Sequence, residues 1–144
     1  MTGLGGYPNL VTLNEVLTRA EQEGYAVGSF SPRYTPMISA VMAAAERCKS
    51  PVIVQISSRE LNKYGITVDE FAGEFYRVLR DERTSVPVVL HLDHTREKAL
   101  IEEAIAVGFT SVMIDASHEE FDRNAAMTRE VVEYAHPKGV SVEA

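Results

Sequence analysis

The chain has 144 residues, enough for one ordinary domain with a sizeable core, and its 45% hydrophobic and 24% charged residues match a soluble globular protein. A net charge of −7 disfavours a nucleic-acid partner, and no apolar run approaches the roughly 18 residues that a membrane span needs. Cys48 is the single cysteine, so no intrachain disulfide can form, and the stretch Met1–Tyr7 has no signal-peptide pattern; a cytoplasmic protein is expected.

Along the chain, short apolar runs alternate with helical patterns. The capping box Thr12-Leu-Asn-Glu15 precedes an apolar stripe of Leu13, Val16, Leu17 and Ala20, which predicts a first helix. Ala26–Phe30 follows as a strand. Thr35 and Pro36 supply an N-cap and a first-turn proline for a helix to about Cys48. Val52–Ile56 is a second strand, and Ser57–Ile66 is expected to be the longest loop. Thr67-Val-Asp-Glu70 caps a helix to about Arg83. Val86–Leu92 is a third strand, and Arg96–Val107 a helix with Thr95 as its cap and Gly108 as its stop. Ser111–Ile114 is a fourth strand, and Ser117 opens a last helix that Pro137 and Gly139 end. Val140–Glu143 begins a fifth strand.

Strand then helix, four times over, predicts right-handed βαβ units and a parallel sheet. A (β/α)8 TIM barrel needs about 250 residues. Because Ser141–Ala144 breaks off in mid-strand, the whole of 1–144 is read as one domain, the first half of such a barrel.

Parallel strands are usually bland where helices cover both faces, and α/β folds carry their chemistry at the strands' carboxyl ends. The third strand ends His91-Leu-Asp93-His94, and the fourth ends Asp115-Ala-Ser117-His118. Imidazole and carboxylate are zinc ligands, and a carboxylate beside a metal-polarised substrate can serve as general acid/base. Asp93 and His94 are sequence neighbours, so both reach one site only if the strand stops near Asp93 and the chain turns outward. The bland alternatives are a helix cap for Asp93, a satisfied histidine at 94, and turn and cap residues at Asp115 and Ser117. Glu143 is a third acidic candidate, on whichever face its strand presents it. His91 is expected to be a hydrogen-bonded core histidine, and Cys48 structural. Ser57, Ser58, Ser29 and Ser31 follow strands and could donate to a phosphate. No Walker loop, dinucleotide fingerprint or nucleophile elbow is present.

Val86–His94 followed by Gly108–His118 resembles the class II, metal-dependent fructose-bisphosphate and tagatose-bisphosphate aldolase family. Ala26–Phe30, Ser50–Ser57, Val131–His136 and Gly139–Ala144 share the likeness. The resemblance implies a (β/α)8 barrel that cleaves a ketose bisphosphate to dihydroxyacetone phosphate and an aldehyde. It implies His94 as one zinc ligand, Asp93 as catalytic acid/base, Asp115 at an auxiliary metal position and Ser57 as a substrate contact. The cofactor implied is Zn2+ at up to two positions, with a monovalent cation allowed. The partners implied are a phosphorylated sugar and further copies of the chain in a homodimer or homotetramer. Two departures stand out. Ser31-Pro-Arg-Tyr34 replaces an asparagine-containing stretch, which leaves room for another aldehyde half and offers Arg33 as a phosphate contact. The family's next glutamate, two more zinc histidines and the glycine-rich phosphate loops lie beyond Ala144, so these residues alone are expected to bind zinc weakly and lack activity. An aldolase for another phosphorylated ketose, such as a deoxy-keto-gluconate phosphate, and a non-catalytic half-barrel subunit are the competing readings.

Overall fold

The computed structural model describes residues 6–82 and 84–144. Met1–Gly5 and Arg83, the expected end of the helix capped by Thr67, lie outside them. Five strands form one parallel sheet in the order β1-β2-β3-β4-β5: β1 Gly28–Phe30, β2 Val52–Ser57, β3 Val88–Thr95, β4 Ser111–Ile114 and β5 Ser141–Glu143. The helices are α1 Leu13–Glu23 before the sheet, α2 Met37–Cys48, α3 Ser58–Tyr64, α4 Val68–Asp81, α5 Lys98–Ala106 and α6 Phe121–Ala135, the last followed by a 3-10 turn His136–Lys138. Sequential strands that are also spatial neighbours, each joined by a helical crossover, make half of a TIM barrel.

Alternation along the strands sorts side chains onto two faces. Val52, Val54 and Ile56 of β2 and Val88, Leu90 and Leu92 of β3 face the helices. There they pack with Phe71 and Phe75 of α4, Ile101 of α5 and Phe109 in one buried core. The other face is the barrel interior. Its floor is a small apolar cluster of Val11, Val16, Ile53 and Val89, and α1 closes that end, with Ser141 Oγ accepting from the backbone N–H of Leu13 at 3.0 Å. Above this floor the interior turns polar. Gln55 is paired in register with His91, His91 with Ser111, and Ser111 with Ser141. One pleat higher, Ser57 pairs with Asp93 at the rim.

Several elements differ from the sequence expectation. The stretch after β2 is helix α3, not a loop. Ser57 caps it, its hydroxyl accepting from the Glu60 N–H while the Glu60 carboxylate returns to the Ser57 N–H. Pro36, not Thr35, sits at the N-cap of α2. Thr95 belongs to β3, and Glu97 precedes α5. Ser117 does not cap α6, which begins four residues later behind Glu120. Cys48 ends α2 as an exposed free thiol.

Candidate active site

On the sequence alone, Asp93 and His94 share a site only if β3 stops near Asp93. The strand continues to Thr95, and the register against β4 slips between Leu92 and Thr95. The slip is a bulge at His94, which sits at φ +42°, a left-handed conformation unusual for a residue with a side chain. A regular pleat would send Asp93 into the barrel and His94 out among the helices. The bulge instead leaves Asp93 on the interior rim and swings His94 along the same rim towards the end of β4. Two consecutive side chains thereby reach one site without ending the strand. Backbone strain at such a position is commonly kept where function requires it.

His94 meets Asp115, with Nδ1 3.0 Å from Asp115 Oδ2. The other carboxylate oxygen, Oδ1, accepts from the Ser117 hydroxyl at 2.6 Å and the Ser117 N–H at 3.3 Å. Ser117 therefore serves the site by fixing Asp115. The Ser117 hydroxyl, followed by His94, holds the Asp115 carboxyl down at about 2. In return the Asp115 hydrogen bond, and then the charge of Asp93, raise the His94 imidazole above its ordinary range. With Nδ1 engaged by the carboxylate, Nε2 is the nitrogen left to face outward, and His94 is 62% exposed by side chain.

Asp93, His94, Asp115 and Ser57 all line one open cavity of about 730 Å³ at the carboxyl end of the sheet, together with Arg59 and Arg96. The four residues singled out in the sequence thus share a rim. Ser57 is partly committed, because its hydroxyl donates to Glu60 Oε2 at 3.0 Å while accepting from the Glu60 N–H. Arg33, expected to be free for a phosphate, gives its Nε to Glu60 Oε1 at 2.7 Å. Burial raises the Glu60 carboxyl, but Arg33 and Ser57 outweigh it and leave it lowered. Ser58 donates to the carbonyl of His94 at 2.9 Å, which ties α3 to the bulge.

His91 is 2% exposed and bonds Ser111 Oγ through Nδ1 at 2.8 Å, the expected core histidine. Its Nε2 also lies 3.4 Å from Glu143 Oε2 and 3.9 Å from Asp93 Oδ1. Glu143 therefore points into the barrel, and the His91 hydrogen bond lowers its carboxyl below the ordinary value. The sequence reading missed Gln55, whose Nε2 donates to Asp93 Oδ2 at 2.8 Å. A lone amide in the apolar run Val52-Ile-Val-Gln-Ile56 was the available signal.

Imidazole nitrogen beside carboxylate oxygen is a donor pair suited to zinc. Among the described residues, however, no group of three or more His, Cys, Asp or Glu is placed to hold a metal ion. His94, with its Nε2 open and Asp115 behind its ring, fits as one member of a ligand set, not as a complete one.

The family model for class-II fructose-bisphosphate aldolase matches residues 11–144. A fructose-bisphosphate aldolase of Geobacillus stearothermophilus is 43% identical over 139 residues, which are 94% of this chain and 47% of that protein. The solved structure of the YdjI aldolase from Escherichia coli K12 superposes with a TM-score of 0.85 at 31% identity, over 94% of this chain and 51% of that one. A fructose-bisphosphate aldolase from Campylobacter jejuni gives 0.78 at 26% identity, over 93% and 46%. The chain spans about half the length of the curated relatives it matches.

Proposed function

Since the chain belongs to the class-II fructose-bisphosphate aldolase family, we propose that the enzyme containing it is a metal-dependent aldolase. It reversibly cleaves fructose- or tagatose-1,6-bisphosphate to dihydroxyacetone phosphate and glyceraldehyde 3-phosphate, as a cytoplasmic step of carbohydrate metabolism. The observation that carries this reading is the rim itself: a carboxylate and an imidazole from consecutive residues, with a second carboxylate on the next strand, around one cavity.

His94, through Nε2, would hold a divalent ion, with the remaining ligands supplied by the second half of the barrel and Asp115 contributing from behind the ring. A bound zinc ion supplies polarisation of the ketone carbonyl. The other roles fall to this chain's side chains. Asp93 takes the proton from the hydroxyl beside the scissile carbon–carbon bond. That bond breaks with its electron pair passing to the dihydroxyacetone phosphate half, which is then protonated at that carbon by an acid that the complete enzyme supplies, and the new carbonyl leaves as the aldehyde. In condensation Asp93 returns the proton to the same oxygen. Asp115 orients the His94 ring, as carboxylates behind metal-binding histidines do. Arg59 and Arg96, at the mouth of the cavity, draw in an anionic substrate. Ser57 has one lone pair left for a substrate hydroxyl.

A non-catalytic subunit would have no use for a strained histidine aimed at a carboxylate on the rim. The test is aldol cleavage by the complete enzyme, with and without a chelator. Cleavage that stops on chelation and returns with zinc is expected. Chelator-insensitive cleavage rejects the metal mechanism, and no cleavage of any ketose phosphate rejects the aldolase.

A further inference from the structure

Asp93 is held from the barrel interior by groups that the proposed reaction does not consume. A carboxylate only accepts hydrogen bonds, so the Gln55 atom 2.8 Å from Asp93 Oδ2 is the amide nitrogen. The Gln55 carbonyl oxygen then faces the other way, and there the Ser29 hydroxyl donates to it. The chain Ser29 to Gln55 to Asp93 crosses three adjacent strands and runs in one direction only.

The neighbouring histidine is committed elsewhere. Ser111 is fully buried and its hydroxyl has His91 Nδ1 as its partner. If that hydroxyl donates to Nδ1, every polar hydrogen is used and Nε2 carries the imidazole proton. The opposite tautomer would strand a buried hydroxyl hydrogen and aim the Nε2 lone pair at two carboxylates. The Nε2–H is directed to Glu143 at 3.4 Å, and Asp93 Oδ1 at 3.9 Å is beyond its reach. One oxygen of Asp93 is therefore anchored, and the other has no hydrogen-bond partner among the described residues.

We propose that Gln55 is a positioning residue for Asp93, with Ser29 locking its amide, so that Oδ1 alone is presented as the oxygen that exchanges the proton with substrate. This rests on the role proposed above for Asp93 and adds to it which oxygen acts and what aims it. Holding a reacting group in line matters steeply, since a displacement of about 1 Å can cost about 100-fold in rate.

The test uses the complete enzyme with its zinc, in three variants: Gln55→Ala, Ser29→Ala and the double variant. Gln55→Ala is expected to lower kcat by about 10- to 100-fold with KM within about 2-fold, because aim and not affinity is lost. Ser29→Ala, at an exposed position that does not threaten folding, is expected to show a smaller fall in kcat. The double variant is expected to be no slower than Gln55→Ala, since Ser29 acts only through Gln55. An unchanged kcat in Gln55→Ala, or losses that multiply in the double variant, overturns the proposal. Should the unmodified enzyme cleave no ketose phosphate, the aldolase reading fails and a crystal structure of Gln55→Ala decides the positioning by itself. An Asp93 carboxylate turned away from its original direction supports it, and one that stays in place overturns it.

Discussion

The Nδ1 atom of His94 lies 3.0 Å from Oδ2 of Asp115, so the ends of β3 and β4 are joined side chain to side chain across the rim. That contact exists because β3 bulges at His94. It orders the ring before any ion arrives and reserves one nitrogen for it. Removing Asp115 should therefore weaken metal binding without removing a nitrogen donor. Asp115→Asn is expected to lower zinc affinity by about 10- to 100-fold, and His94→Ala by more. Competition with a chromophoric chelator measures both; equal, unchanged affinities would place the metal elsewhere.

The same contact sets a pH dependence. Metal uptake needs the neutral imidazole, and the raised position of His94 keeps it protonated above its ordinary 6.5. Zinc affinity should begin to fall, as pH is lowered, at a higher pH than an unperturbed histidine would give. NMR titration of the His94 ring in the zinc-free protein is expected to show a midpoint above 6.5, moving down in Asp115→Asn. A midpoint at or below 6.5 in the unmodified protein contradicts the pairing. For folding stability the signs are opposite at the two ends. The His94 share is fully present below about 6.5 and is lost as pH rises through its raised value. The Asp115 share is present above 3.8 and is lost as pH falls through about 2. The His94 share is small, because its side chain is exposed to solvent.

Much of this was legible in the residues. The β-branched runs and the capping boxes at Thr12 and Thr67 marked the elements, because burial and capping leave strong local patterns. Asp93, His94, Asp115 and Ser57 were visible as polar groups at strand ends. What was not legible depended on the chain's path. Helix α3 buries only Leu61, so Ser58–Tyr64 carries no apolar stripe to announce it. The bulge at His94 is set by pairing with β4, a partner about twenty residues away, and nothing local at His94 requires it. Gln55 is one amide in an apolar strand, and only its register with His91 puts it beneath Asp93.

Gly108 offers a test of the scaffold independent of the chemistry. It sits at φ +98°, and the Tyr76 hydroxyl donates to its carbonyl at 2.7 Å. A Cβ there would stand 2.5 Å from that hydroxyl oxygen. Burial of the phenol, with Tyr7 alongside, pushes its ionisation up to about 12, so the bond persists across the ordinary pH range. Gly108→Ala is expected to destabilise the fold by about 2–4 kcal/mol through backbone strain and overpacking. Urea unfolding measures this, and a loss under about 0.5 kcal/mol would show that the β3–β4 connection has slack.

Asp93 carries the proposed proton transfer while His94 carries the metal, so their losses should separate. Asp93→Ala in the complete enzyme is expected to keep its zinc and lose about 100- to 10,000-fold in kcat. His94→Ala is expected to lose zinc and turnover together.

The most direct measurement is a crystal structure of the complete enzyme with zinc and a ketose bisphosphate bound. The account predicts that Asp93 Oδ1 lies within hydrogen-bond distance of the hydroxyl next to the scissile bond, and that His94 Nε2 is on the ion. A sugar seated away from Asp93, or an ion held without His94, would contradict it.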